Sequence, residues 1–184
     1  RDEVKLLGEA LGEGVHAVIE EERDPRNLLQ AFAIVPRILR DCPPECVSNE
    51  TLDCMFESLT SYFPITFTPP KDDKYGITGE DLKLALSAAL AATPRMAGLV
   101  IPFVLDACKD ITVGENEATI KDALAMLGFC AERYSPQVVR THLGAVLSTA
   151  RDQVCRTTTP CPAEFATAIR RVLAAALADV PAGL

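Results

Sequence analysis

The chain has 184 residues, with 18 Lys or Arg against 26 Asp or Glu, and its formal net charge of −8 at pH 7 argues against a dedicated nucleic-acid-binding module. Hydrophobic residues make up 48% of the chain and aromatic residues only 5%, and much of the apolar content is Ala and Leu, which are strong helix formers. A β-sandwich would need more Val, Ile, Thr and aromatic residues, so the composition predicts a soluble, acidic, all-α protein.

Apolar residues recur at helical spacing from the N-terminus onward. The apolar face of the first predicted helix includes Val15, Val18 and Ile19. Asp24-Pro25 predicts an N-cap followed by Pro at the first helical position of a second helix. Pro36 lies within that second helix, and we expect it either to kink the helix or to start a new one.

The remaining helices are predicted to begin at residues that favour helix starts. In chain order these starts are Ser48, Thr78, Thr93-Pro94, Asn116, Ser135-Pro136 and Pro160 or Pro162. The region from Thr78 to Asp81 resembles a capping box, because a carboxylate follows the Thr after three residues. The pattern therefore predicts about eight helices.

The helix starts fall into pairs that define helical hairpins of some 40–50 residues, which is the period of HEAT and armadillo-like repeats. A hairpin of this kind leaves an apolar face exposed until it stacks on its neighbours. The chain begins with Arg1 rather than Met, which is typical of a piece of a longer protein. We therefore interpret residues 1–184 as a segment of a HEAT-like helical solenoid, an α–α superhelix, with a compact helical bundle as the competing interpretation.

Seven cysteines, an odd number scattered through apolar helical stretches, favour buried free thiols over a disulfide framework. The densest group is Cys42, Cys46 and Cys54. Structural zinc sites usually need two tight pairs of Cys or His, and iron–sulfur clusters need four thiolates at closer spacing. The sequence therefore predicts no metal site and no cofactor, and a cysteine-based metal or redox module is the least favoured alternative.

The sequence also lacks the patterns of an enzyme or a membrane protein. His16 and His142 lie on distant predicted helices, and no GxSxG, HExxH, GxGxxG or P-loop string occurs. A membrane span needs about 20 apolar residues, and the longest apolar stretch, Met96 to Leu105, is shorter than that. We therefore expect a protein without catalytic residues and without a membrane-spanning segment.

One connection between predicted helices is unusually long, at residues 64–77. Pro64, Pro69 and Pro70 stiffen it, Ile65 and Phe67 alternate with Thr66 and Thr68, and Tyr75-Gly76 turns the chain toward the next helix. This loop is either a structural strap over the helices or a recognition element. If it is a recognition element, the candidate protein-binding residues are Ile65, Phe67, Lys71, Asp72 and Tyr75.

The same region carries a resemblance to a known family. The string SYFPITFTPPKDDKYGITGEDLKLALSAALAATPRMAGLVIPFVLDA, from Ser61 to Ala107, and the string EERDPRNLLQAF, from Glu21 to Phe32, resemble the N-terminal region of a large HEAT-repeat family. That family is the targeting subunit of the cytosolic iron–sulfur protein assembly complex, named for sensitivity to methyl methanesulfonate and for DNA repair and transcription. The chain departs from the family at Thr66, where family members often carry an acidic residue.

The resemblance implies a non-enzymatic adaptor or scaffold in the cytoplasm and nucleus. Such an adaptor helps to deliver iron–sulfur clusters to apo-proteins of DNA repair, replication and transcription, such as helicases and polymerases. Its implied partners are a WD-repeat propeller subunit, a small MIP-type subunit and these apo-proteins, without direct contact to nucleic acid. The alternative is a purely structural solenoid segment whose binding surfaces lie elsewhere in the protein.

Overall fold

A computed structural model describes residues 2–43, 46–70, 74–109, 117–154 and 162–180, with the backbone alone for residues 2–9, 11 and 154. The described residues form eight α-helices and one short 3-10 turn, Pro94–Met96, and contain no β-strand. The α-helices are α1 (Asp2–Ile19), α2 (Pro25–Asp41), α3 (Asn49–Thr60), α4 (Gly79–Leu90), α5 (Ala97–Lys109), α6 (Glu117–Ala131), α7 (Pro136–Val154) and α8 (Pro162–Leu177). The all-α prediction is confirmed, and the helices are consistent with a helical-repeat solenoid.

The chain divides into two compact units, Arg1–Met96 and Ala97–Leu184. In the first unit, α1 packs on α3 and α2 packs on α4, while the helices of each hairpin also contact one another. The second unit repeats this arrangement, with α5 on α7 and α6 on α8. Each unit therefore consists of two stacked helical hairpins, and the hairpins are the pairs that the helix starts predict.

Local capping explains where the helices of the first unit begin. The Asp24 carboxylate accepts a hydrogen bond from the Arg26 backbone N–H at 2.9 Å and caps α2. Ser48 caps α3 through the Thr51 N–H, and Thr78 and Asp81 form a complete capping box at α4. These contacts satisfy backbone donors that have no partner within the first turn of a helix.

Helix α2 continues through Pro36 to Asp41, so of the two expectations for Pro36 the start of a new helix is excluded. Proline removes one backbone donor and crowds the preceding turn. Phe32 and Val35, which precede Pro36, are fully buried, and α2 packs along α4. Burial of this face compensates for the local cost of the proline.

One face of the first hairpin stays open. Val15 and Ile19 are buried as their spacing predicts, but Val18, expected on the same apolar face, is 55% exposed. Val18 and the exposed Ile34 line an apolar groove of about 300 Å³ between α1 and α2. The apolar stripe of α1 is therefore wider than the surface that α2 and α3 cover.

In the second unit, α6 and α8 approach each other closely at Gly128. A Cβ atom added at Gly128 would lie 2.7 Å from the Arg171 guanidinium, so a larger side chain would displace that group. Arg171 donates to both carboxylate oxygens of Glu132 at 2.5 and 2.7 Å and links α8 to the end of α6.

No single helix among the described residues is long and apolar enough to cross a membrane. Gly79–Leu90 and Pro94–Lys109 meet the length and hydropathy criterion only together, as a pair of helices bent at a break.

Candidate interaction surface

The long connection between α3 and α4, residues 61–78, is fastened at its start by Tyr62. The Tyr62 hydroxyl donates to the backbone carbonyls of Ile19 and Glu22, the latter at 3.0 Å. Its ring packs edge-on against Phe32 with 5.8 Å between the ring centroids. The connection is thus attached to the turn between α1 and α2 before its extended part begins.

The extended part lies against the first unit on one side. Ile65 and Phe67 are half-buried, whereas Thr66 and Thr68 are exposed, in the alternation that their sequence predicts. The Phe67 carbonyl oxygen lies so near the first turn of α4 that a Cβ atom added at Gly79 would be 2.7 Å from it. This close approach, together with the half-buried side chains, gives the segment the geometry of a strap.

Tyr75 differs from Ile65 and Phe67, because its side chain is 63% exposed. The next residue, Gly76, has φ +66, a left-handed conformation that glycine adopts without strain and that turns the chain toward α4. The Arg26 guanidinium carbon lies 4.5 Å from the centroid of the Tyr75 ring. Lys71 and Asp72, the other two candidate residues of the loop, lie outside the described residues.

Arg26 is held in turn by Asp24, the N-cap of α2. The Arg26 Nε donates to the two Asp24 carboxylate oxygens at 2.9 and 3.1 Å, and its Nη2 makes a further ion pair with Asp24. Hydrogen bonds from the Arg26 side chain and backbone lower the pKa of Asp24 to about 2. We refer to Tyr75, Arg26 and Asp24 together as the Tyr75 surface.

A second ionised carboxylate lies in the adjoining turn. Glu22 accepts hydrogen bonds from the backbone N–H groups of Arg23 and Asp24 and from the Asn27 side chain. These hydrogen bonds lower the pKa of Glu22, and the bond from the Asp24 backbone N–H contributes most. At neutral pH the start of α2 therefore carries two ionised carboxylates, of which Asp24 is paired with Arg26.

The three clustered cysteines have different environments. Cys42 is half-buried, Cys46 is buried and Cys54 is exposed, and no disulfide joins these three residues. Within the described part of the chain, no group of three or more His, Cys, Asp or Glu residues is placed to hold a metal ion. The geometry gives no support to a metal site built on this trio.

Packing of α1 on α3 brings Ser58 to a His16–Glu20 pair that is already formed at i, i+4 spacing. His16 Nδ1 lies 2.7 Å from Ser58 Oγ, and His16 Nε2 lies 3.4 Å from Glu20. The Ser58 hydroxyl already donates its one hydrogen to the Cys54 carbonyl at 2.8 Å, so Nδ1 must be the donor to Ser58. Since Ser58 is also only 6% exposed, this trio is not an activated nucleophile.

The same pair of helices borders an acidic groove of about 350 Å³. Its described lining includes Glu13, Glu50 and Glu57 but neither Lys nor Arg. Side chains at i, i+3, i+4 and i+7 share one helix face, which places Glu50, Cys54 and Glu57 on a single side of α3. The groove therefore adds negative potential to the first unit.

The chain is similar over most of its length to a known protein family. Residues 1–156 match the MMS19_N family, described as a Dos2-interacting transcription regulator of RNA-Pol-II. The chain is 35% identical over 156 residues to the MMS19 nucleotide excision repair protein homolog of Mus musculus. The aligned region covers 85% of this chain and 14% of that protein. The homolog from Dictyostelium discoideum is 34% identical over 134 residues, 72% of this chain and 11% of the relative.

A fungal relative matches a shorter region at higher identity. The DNA repair/transcription protein MMS19 of Saccharomyces cerevisiae is 43% identical over 96 residues, 52% of this chain and 9% of that protein. The matched region therefore spans 9% to 14% of the length of these three relatives.

Proposed function

Because the chain belongs to the MMS19 N-terminal family, we propose that it is a non-enzymatic, protein-binding segment of an adaptor that helps to deliver iron–sulfur clusters to apo-proteins. The relatives are named for nucleotide excision repair, DNA repair and transcription, and the proposed recipients are apo-proteins of those processes and of replication. The cluster is cargo of the adaptor system in this proposal.

The proposed partners are proteins. They are a WD-repeat subunit and a small MIP-type subunit of an iron–sulfur targeting complex, together with apo-proteins such as helicases and polymerases, in the cytoplasm and nucleus. A net charge of −8 supports a connection to DNA that runs through these partners rather than through direct binding.

The exposure of Tyr75, in the connection between α3 and α4, is the observation that supports the proposal most directly. Tyr and Arg are enriched among the residues that contribute most to protein–protein binding energies. Tyr75 is a solvent-exposed residue of this type, and its ring contacts Arg26. Ile65, Phe67 and Tyr62 hold the strap in place before any partner arrives. A preorganised surface loses less conformational entropy on binding than a disordered loop does.

A capture experiment with the purified 184-residue protein tests the proposal. The immobilised protein is offered the WD-repeat and MIP-type subunits and an apo-helicase, each purified separately, with a Leu84→Ala variant as control because Leu84 is an exposed apolar residue on α4. Retention of at least one of these partners by both proteins is expected. Failure of every partner to bind the wild-type protein would refute a binding role for this segment.

A purely structural role is the second candidate, and the half-buried Ile65 and Phe67 favour it. In that case the strap stabilises the first unit while partners bind elsewhere in the full-length protein. Replacing Ile65, Phe67 and Tyr75 with Ala, one residue at a time, distinguishes the two. A lower Tm with unchanged capture of partners supports the structural role, whereas lost capture at an unchanged Tm supports recognition.

A further inference from the structure

We propose that Arg26 is a positioning residue for Tyr75, so that the recognition surface is assembled from two helical hairpins rather than from the strap alone. Arg26 belongs to α2 in the first hairpin, and Tyr75 belongs to the connection within the second. The inference rests on the proposed function of the Tyr75 surface and adds a residue that acts through the tyrosine ring.

Asp24 is the main partner that holds the Arg26 guanidinium. Asp24 caps α2 by accepting from the Arg26 backbone N–H at 2.9 Å, and the same carboxylate receives the Arg26 Nε at 2.9 and 3.1 Å. A planar guanidinium that donates to both oxygens of one carboxylate has a defined orientation. Helix α2 therefore supplies a rigid, flat cation on which a ring can rest.

The Tyr75 ring lies on that cation. The guanidinium carbon is 4.5 Å from the ring centroid, within the range of a cation–π contact. Because the Tyr75 side chain is 63% exposed, its other contacts cover only a minor part of it. Arg26 thus limits the orientations of a side chain that is otherwise largely surrounded by solvent.

The pairing with Asp24 favours a positioning role for Arg26 over direct contact with a partner. The Asp24 carboxylate balances the charge of Arg26 and occupies its Nε and Nη2 donors, while 49% of the Arg26 side chain stays exposed. A partner meets the exposed side of Tyr75, while Arg26 lies under the ring. Loss of Arg26 therefore weakens binding by loosening the orientation of Tyr75, which must then be ordered when the partner binds.

A double-mutant cycle tests whether Arg26 acts through Tyr75. Affinities for the captured partner are measured for the wild type, Arg26→Ala, Tyr75→Ala and the double variant. Arg26→Ala is expected to weaken binding about two- to fivefold when Tyr75 is present, the range of an exposed cation–π contact, and to have no further effect in the Tyr75→Ala background. An equal loss in both backgrounds would overturn the positioning role.

Two further variants separate positioning from helix capping. Asp24→Ser keeps a good N-cap residue but removes the carboxylate that orients Arg26, so it should weaken binding in the same direction as Arg26→Ala. Arg26→Lys keeps the charge without the planar fork and should restore binding only partly. Wild-type affinity of Asp24→Ser would show that an oriented guanidinium is not required and would contradict the proposal.

An NMR measurement on the protein alone, without a partner, distinguishes failure of this inference from failure of the proposed function. The protein has three tyrosines, so ring ¹H–¹³C NMR signals of a Tyr-labelled sample are few, and Tyr75→Phe identifies the signal of Tyr75. Arg26→Ala should shift the Tyr75 signals and leave those of Tyr62 and Tyr134 in place. Unchanged Tyr75 signals would overturn the inference, even if partner binding is confirmed.

Discussion

The Tyr62 hydroxyl donates to the Glu22 carbonyl at 3.0 Å across 40 positions of sequence, and it thereby ties the start of the α3–α4 connection to the turn that ends α1. Desolvation by burial is the main reason that the pKa of Tyr62 is raised. The Ile19 carbonyl shares this single hydroxyl hydrogen and also accepts from the Glu22 backbone N–H at 3.2 Å.

Replacing Tyr62 with Phe should therefore lower the stability of the first unit by about 1 kcal/mol, because the partly buried Glu22 and Ile19 carbonyls lose the hydrogen bond from the phenol while the ring packing on Phe32 is kept. Urea denaturation followed by circular dichroism measures the change. Tyr75→Phe is the comparison variant, since it removes a phenol hydroxyl from a largely exposed side chain, and it should shift the midpoint less than Tyr62→Phe does. Equal midpoints for all three proteins would show that the Tyr62 hydroxyl does not contribute.

The close approach of the strap to α4 gives a second prediction, at Gly79. An added Cβ would lie 2.7 Å from the Phe67 carbonyl oxygen, a backbone atom that cannot move without shifting the strap. Gly79→Ala should lower stability by about 1–3 kcal/mol. Gly144 on α7 has no atom within 4 Å of such a Cβ, so Gly144→Ala should instead stabilise the protein by up to about 1 kcal/mol. Thermal denaturation of both variants checks the opposite signs, and equal effects would contradict the described path of the strap.

The Arg171–Glu132 pair predicts a pH dependence in the second unit. The hydrogen bond from Arg171 is the main reason that the pKa of Glu132 is lowered from the ordinary value of 4.5. A lowered pKa in the folded state adds stability above the unfolded pKa, and this stability is lost as the pH falls through the folded pKa. Glu132→Gln should therefore lose more stability at pH 7 than at pH 3.

The effect should stay below about 1 kcal/mol, because both side chains are partly exposed and water screens the pair. Denaturant midpoints at the two pH values measure it. A Glu80→Gln variant serves as control, since Glu80 is a largely exposed partner of Lys83. A Glu132→Gln loss that is the same at pH 3 and pH 7 would assign the effect to packing rather than to charge.

Thiol reactivity should separate the described cysteines by burial. Burial raises the pKa of Cys130 to about 12, so its thiol stays protonated at pH 8, and Cys46 and Cys108 are also buried. Cys54 is exposed and should be the first of the described cysteines to react with a maleimide. Peptide mass spectrometry after brief labelling reports each site separately. Rapid labelling of Cys130 in the folded protein would contradict the packing of α6.

Much of the fold follows from local sequence signals, because helix starts depend on nearby residues. Asp24, Ser48 and Thr78 each cap the helix that their sequence context predicts. The exposure of Val18 was not predictable in this way, since helical spacing places it beside Val15 without showing how much of the stripe a neighbour covers. The continuity of α2 through Pro36 likewise depends on long-range packing.

The candidate surface was predictable only in part. The alternation of Ile65 with its Thr neighbours indicates which side of the strap faces the helices. The contact between Arg26 and Tyr75 requires the fold, because the two residues belong to different hairpins. The proximity of His16 to Ser58, 42 positions apart, depends in the same way on the packing of α1 against α3.

The affinity of Tyr75→Ala for a captured partner tests the central claim most directly. Isothermal titration compares the wild-type 184-residue protein, Tyr75→Ala and the control Leu84→Ala with the same purified partner. The expected result is at least about tenfold weaker binding for Tyr75→Ala, the cost of losing an interface hot spot, and unchanged binding for Leu84→Ala. Equal affinity of Tyr75→Ala and the wild type would contradict the assignment of the Tyr75 surface as the site of protein recognition.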